Sequence, residues 1–362
     1  MAKLRIGIIG TGGIAGAHIG AYKTIEEVEV VAGADIIPGK AEEFFKRNGV
    51  PTAKAFNSTK EMLDTVELDA VSVCTYNSTH AECAVMALEK GLPVLLEKPM
   101  SVTLEQGMEI LRAEKKSGKI VTIGFQPRYD VNMQKIREII ASGALGKVYY
   151  VQTGGGRRRG MPGGTFINKE KAGVGALADI GCYGLDFALN AIGYPKPLTV
   201  SAVAYNHFGT NPKYHPESDK FEVDDFSAAF VRLEGGITLD FRMSWAMHMD
   251  TTGDFIFLGT EAGLKVKQPH LNTWGGAWDG PTGEIRLMHD VFGKCTETLI
   301  PLEENRGPGL FEKKVRAFVD AVINNKPAPI PTSQIIYNQA IIDGIQRSNA
   351  IGKEVDVVID KI

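Results

Sequence analysis

Apolar and polar positions change rhythm once along this chain. Up to about residue 125, short apolar runs alternate with longer segments of helical spacing. Leu4–Ile9, Val28–Ala34, Ala70–Cys74, Pro93–Leu96 and Ile120–Phe125 read as buried strands. Between them, Ile14–Thr24, Gly39–Asn48, Thr79–Lys90 and Leu104–Ser117 read as helices. Runs apolar on both faces, separated by helices, predict a parallel sheet covered on both sides. Beyond about residue 147 strands dominate: Lys147–Thr153, Thr199–Ala204, Ser227–Leu233, Ile237–Ser244, Asp254–Leu258 and Leu264–Lys267. Glu234-Gly235-Gly236 reads as a hairpin turn, and Ile180–Ile192 as the one clear helix of this half. The expected fold is α/β: a doubly wound Rossmann sheet, then a domain with an open, mostly antiparallel sheet. The expected divisions are 1–125 for nucleotide binding, 126–331 for substrate and assembly, and 332–362 as a helix and strand. In that last segment Thr332–Ala350 has helical spacing and is expected to return toward the first domain.

Composition removes several alternatives. The chain has 362 residues, 44% hydrophobic and 23% charged, with a formal net charge of −3. That balance gives no reason to expect nucleic acid or an anionic membrane as partner. No apolar run approaches the ~20 residues of a membrane span, and glycine interrupts the N-terminal apolar stretch too early for a signal-peptide core. The four cysteines, Cys74, Cys83, Cys182 and Cys295, form no C-x-x-C pair. They suggest neither a disulfide framework nor a metal site, and read as reduced thiols of a cytoplasmic protein. Cys182 reads as a small buried hydrophobe.

The first chemical signal follows the first strand. Gly10-Thr11-Gly12-Gly13-Ile14-Ala15 fits G-x-G-x-x-A between a strand and a helix. Gly10 permits the tight turn, Gly12 lets a pyrophosphate approach, and Ala15 lets helix and strand pack closely. The helix N-terminus offers free N–H groups to phosphate. Asp35 closes the second strand, 20 residues beyond Ala15. A carboxylate there accepts hydrogen bonds from the adenosine ribose and repels a 2′-phosphate, which favours NAD over NADP.

The second signal is Glu97-Lys98-Pro99 after an apolar strand, at the sheet edge where ligands of such folds bind. With Tyr76-Asn77-Ser78-Thr79-His80, Gly124-Phe125-Gln126-Pro127-Arg128-Tyr129 and Gly175-Ala176-Leu177-Ala178-Asp179-Ile180-Gly181-Cys182-Tyr183, the chain resembles the glucose–fructose oxidoreductase / inositol dehydrogenase (Gfo/Idh/MocA) family along essentially its whole length. The resemblance implies assembly through the open sheet into homo-oligomers. It implies that Glu97 contacts the nicotinamide ribose and that Lys98 lies between nicotinamide and substrate. The cofactor set it suggests is Gly10, Gly12, Gly13, Ile14, Asp35, Thr75, Asn77, His80, Glu97, Lys98 and Gln126. It assigns Asp179 and Tyr183 as a substrate-binding carboxylate and an acid/base group. Many members have His where this chain has Tyr183; the glucose–fructose oxidoreductase and dimeric dihydrodiol dehydrogenase branches are similar to it in having Tyr. Asp179 and Tyr183 also admit plainer readings, as a helix N-cap and a buried aromatic.

Alcohol oxidation needs acceptors for a hydride and a proton. A tyrosine hydroxyl in water titrates near ~10, and the positive charges of Lys98 and the nicotinamide ring would favour its phenolate. Tyr183 is therefore the expected base, with Lys98 as support and hydroxyl anchor; a relay through Lys98 stays open. Asp179 would bind a neighbouring substrate hydroxyl. Of Arg157-Arg158-Arg159, Phe166 and Lys171, one or two could line the cleft, with Arg157 taken as a substrate residue. Trp278 in the glycine-rich loop Gly275–Gly283, and Trp274 just before it, suit a sugar face. The expected substrate is an unphosphorylated sugar, glycoside or cyclitol, including oxidation of a glucoside at C3. The alternative is a hydrolase or lyase that uses tightly bound NAD for transient oxidation and elimination.

Overall fold

In a computed structural model of the chain, residues 3–267 and 283–360 are described. Six parallel strands form the first sheet: β1 (Leu4–Ile9), β2 (Val28–Ala34), β3 (Lys54–Phe56), β4 (Ala70–Val73), β5 (Val94–Leu96) and β6 (Val121–Ile123). Their order is β3-β2-β1-β4-β5-β6, the doubly wound arrangement whose chain reverses direction between β1 and β4. Short β3 escapes the hydrophobic pattern because it is an edge strand: Lys-Ala-Phe pairs only with β2 and stays largely exposed. The helices Thr59–Thr65, Val131–Ala141 and Leu310–Ile323 are likewise additions to those expected from sequence.

Nine strands form the second sheet: β7 (Val148–Gln152), β8 (Pro197–Tyr205), β9 (Phe226–Leu233), β10 (Ile237–Ser244), β11 (Phe255–Gly259), β12 (Ala262–Val266), β13 (Ile285–Val291), β14 (Lys294–Ile300) and β15 (Val355–Asp356). Every pairing is antiparallel except β7 with β10. Glu234–Gly236 joins β9 to β10 as expected, with Gly235 at φ 80°. The β13–β14 hairpin carries half-exposed residues on both faces, which is why it lacks an apolar strand signal. The helical run Lys169–Ala191 is long and apolar enough to cross a membrane, but 83% of its apolar window is buried, as in the core helix of a globular protein.

The chain divides into two compact units. One gathers Pro308–Ile336 onto the residues up to Gln126; the other comprises Pro127–Gly307 with Tyr337–Lys361. The segment that returns to the nucleotide-binding unit is therefore Leu310–Ile323 with the first turns of the helix Thr332–Ile351. The rest of the C-terminal segment joins the second sheet, where Val355 pairs with Val200 in β8. The reason is packing. Val315, Phe318 and Val319 are fully buried in one cluster with Ile6, Ile8, Ile19 and Phe44. Phe318→Ala should therefore cost about 3–5 kcal/mol, read as a lower denaturant midpoint in chemical unfolding.

Candidate active-site residues

In the first unit, β1 ends at Gly10 with φ 84°. A Cβ there would lie 2.8 Å from the Cys74 carbonyl group and from Thr75 Cγ2, so only glycine fits the turn. At Gly12 and Gly13 a Cβ would meet nothing within 4 Å. That open ground lies at the N-terminus of the helix Gly13–Tyr22, whose N-cap Gly12 makes no side-chain cap. Its first N–H groups are available to an anion. Ala15 is fully buried, as close packing requires.

Asp35 is buried at the end of β2. Its Oδ2 accepts hydrogen bonds from Thr11 N (2.9 Å) and Thr11 Oγ1 (2.8 Å), and its Oδ1 from Ile37 N (3.0 Å). Lys40 Nζ lies 2.8 Å from Oδ2. Burial alone would raise the carboxyl, but these donors and the Lys40 charge outweigh it and hold Asp35 below the usual carboxylate range. The carboxylate at this edge, the open ground at Gly12 and Gly13 and the glycine turn fit NAD.

The strand β5 delivers Glu97 and Lys98 to the carboxyl edge of the same sheet. Glu97 is buried, and its Oε1 accepts from His18 Nε2 (2.9 Å) and from Lys314 Nζ (2.5 Å). Its Oε2 accepts from Lys98 N (3.3 Å). Burial would raise the Glu97 carboxyl, yet the Lys314 ammonium and the His18 hydrogen bond hold it well below the carboxylate range. A Cβ on Gly124 would lie 2.9 Å from Glu97 Oε1, so the glycine gives the carboxylate room. His80 is buried with Nδ1 2.7 Å from the Pro99 carbonyl, which it meets as a donor. Thr75, Asn77 and Lys98 are half-buried, whereas Gln126 is fully buried.

In the second unit, Asp179 lies in a π-helical turn, Leu177–Gly181, that runs directly into the helix Cys182–Ala191. Such widened turns recur at functional sites. The N-cap reading of Asp179 does not hold: the N-cap is Gly181, and it is the Asp224 carboxylate that accepts from Gly175 N and Leu177 N. Asp179 Oδ2 instead accepts from Trp245 Nε1 at 3.0 Å. Trp245 is fully buried at the end of β10 and meets Phe221 edge-on. Tyr183, in the first turn of the helix, is half-buried rather than a core aromatic. Cys182 is fully buried.

The three arginines separate. Burial pushes the Arg157 guanidinium down from its ordinary value, and the Asp179 carboxylate opposes that shift, so these two groups sense each other. Arg158 pairs with Asp250 at 2.8 Å, and Arg159 lies over the Phe208 and Tyr214 rings at 4.8 and 4.7 Å. Phe166 and Lys171 are exposed. Trp274 and Trp278 lie outside the described residues. Trp245, His18 and Lys314 carry no motif. A signal for Lys314 was nonetheless present: it sits four residues from both Leu310 and Phe318, on an apolar helical stripe.

Residues 4–125 match the oxidoreductase family with an NAD-binding Rossmann fold, and residues 133–265 match the GFO/IDH/MocA C-terminal domain. The chain is 32% identical over 282 residues to D-glucoside 3-dehydrogenase of Escherichia coli (strain K12), covering 75% of this chain and 79% of that protein. It is 33% identical over 238 residues to glucose-6-phosphate 3-dehydrogenase of Bacillus subtilis (strain 168), covering 64% and 65%. A solved structure of levoglucosan dehydrogenase in complex with NADH shares the fold, with a TM-score of 0.80 at 21% identity over 98% of this chain and 99% of that one.

Proposed function

This chain belongs to the Gfo/Idh/MocA oxidoreductase family, and on that premise we propose that it oxidises a secondary hydroxyl of an unphosphorylated sugar, glycoside or cyclitol, with a glucoside C3 hydroxyl foremost. The observation that carries the choice is the likeness to D-glucoside 3-dehydrogenase over three quarters of the chain. The arginine run supports the unphosphorylated class: Arg158 and Arg159 are occupied by Asp250 and by two aromatic rings, which leaves no three-arginine phosphate cage.

NAD⁺, when bound, supplies the hydride acceptor. The pyrophosphate belongs at Gly10, Gly12, Gly13 and Ile14, and the adenosine ribose at Asp35. Thr75, Asn77, His80, Glu97 and Gln126 complete the cofactor side. Tyr183 accepts the hydroxyl proton, and the Lys98 ammonium anchors that hydroxyl and stabilises the developing alkoxide. Asp179, oriented by Trp245, takes a hydrogen bond from an adjacent substrate hydroxyl, with Arg157 beside it. Val203, Tyr205 and Phe230 expose apolar surface on one face of the second sheet, which supports assembly into a homo-oligomer through that face. The buried free thiols Cys74, Cys83 and Cys182 suit a reducing cytoplasm.

The test is a screen of the purified protein with NAD⁺ and, separately, NADP⁺, following NADH or NADPH absorbance. Methyl and aryl glucosides, free hexoses, inositols and glucose 6-phosphate are compared. Reduction of NAD⁺ by a glucoside, with glucose 6-phosphate slower, is the expected result. Preference for the phosphorylated sugar overturns the substrate class. Sugar consumption without free NADH points to a resident cofactor.

A further inference from the structure

Lys314 is 1% exposed, and lysines are seldom buried unless paired. Its ammonium meets Glu97 Oε1 from 217 residues away in sequence and lies 3.6 Å from the Phe311 ring centroid. A buried ion pair adds little stability compared with apolar residues of similar volume, so packing alone does not account for it. The pair continues on both sides. His18 Nε2 reaches the same oxygen, its Nδ1 lies 3.1 Å from Ser72 Oγ, and Tyr22 Oη lies 2.8 Å from that hydroxyl. Burial lowers the His18 imidazole, and the Lys314 charge adds to that. A neutral ring then donates from Nε2 to Glu97 and accepts at Nδ1. On the far side, Glu97 Oε2 accepts the backbone N–H of Lys98.

We infer that Lys314 is a positioning residue for the oxidation: by fixing Glu97 as a buried carboxylate, it holds the Lys98 backbone at the carboxyl edge of β5. The inference rests on the role proposed above for Lys98. The groups facing Glu97 are His18 from the helix Gly13–Tyr22, Lys314 from Leu310–Ile323, Lys98 beside it, Cys74 beyond β4 and His80 from His80–Glu89. With Lys314 present the carboxyl stays ionised through the neutral range. Without it, only the His18 hydrogen bond opposes the upward push of burial on the Glu97 carboxyl, so it takes a proton more readily as pH falls and its hold on the Lys98 backbone weakens.

The test compares full-length wild type, Lys314→Met and the double variant Glu97→Gln/Lys314→Met. The measurements are NADH affinity by fluorescence, turnover against pH, and hydrogen exchange at the Lys98 amide. In Lys314→Met, NADH should still bind, with a smaller change in affinity than in kcat, which falls about tenfold to a hundredfold, with a new loss of activity on the acid side. The Lys98 amide should exchange roughly tenfold faster, with the rest of the unit unchanged. The double variant, which leaves no unpaired buried charge, should fold, lose the acid-side dependence and keep the low kcat and fast exchange. Unchanged turnover and pH profile in Lys314→Met overturn the inference, as does faster exchange spread evenly over the unit. If Lys314→Met does not fold, the double variant decides by exchange at the Lys98 amide: a rate equal to wild type overturns the inference. A wild type that turns over no screened substrate, with exchange at Lys98 still responding locally, refutes the functional reading and leaves the positioning role standing.

Discussion

Replacing Tyr183 with phenylalanine should lower kcat by about 10²–10⁴-fold, the usual worth of a general base, while NADH affinity stays close to wild type. The substitution removes one hydroxyl and keeps the ring. Tyr183 lies in the first turn of Cys182–Ala191, whose neighbours Cys182, Gly184 and Leu185 are buried, so the helix keeps its packing. The glycine turn and Asp35 belong to the first unit and Tyr183 to the second. The loss should therefore appear in kcat and in the pH profile, where the base limb disappears. Unchanged turnover in Tyr183→Phe would reassign the proton to Lys98, the relay left open by the sequence.

Asp35→Ser should shift the ratio of kcat/KM for NAD over NADP by about 10²–10³-fold toward NADP. Two effects combine. Loss of the carboxylate removes charge-assisted hydrogen bonds to the adenosine ribose, worth about 1.5–3 kcal/mol each, which lowers NAD turnover. It also removes the partner of Lys40, whose ammonium lies 2.8 Å from Asp35 and is about one-third exposed. That cation becomes available to a 2′-phosphate, so repulsion gives way to attraction. Serine still offers an oxygen to Thr11, which limits the disturbance of the glycine turn. Parallel titrations with NAD⁺ and NADP⁺ decide it: an unchanged ratio would mean that Asp35 holds Thr11 and Ile37 but does not select the cofactor.

Both predictions depend on features of different legibility. The glycine turn, Asp35 and the strand edge carrying Glu97-Lys98 were readable because each is local: a strand, a positive-φ glycine and a helix start lie within a few residues. The Asp179–Tyr183 pair was also visible by spacing, but its π turn was not, since a widened turn reflects how Leu177 and Ala178 bury and how Asp224 meets the N–H groups of Gly175 and Leu177. The helix Leu310–Ile323 went unread, although its apolar stripe was there, because nothing local says which sheet a stripe covers.

The sequence by itself determined the doubly wound sheet, the mostly antiparallel second sheet and the glycine turn that opens the NAD-binding helix, because these follow from periodicity and from backbone conformations that few residues adopt. Only the tertiary structure decided that Trp245 holds Asp179, that Arg158 and Arg159 are already engaged, and that Lys314 and His18 meet on Glu97. Those contacts join residues 66, 79 and 217 positions apart. A buried charge is tolerated only where folding brings its partner, and that partner is chosen by packing in three dimensions, where order along the chain no longer matters.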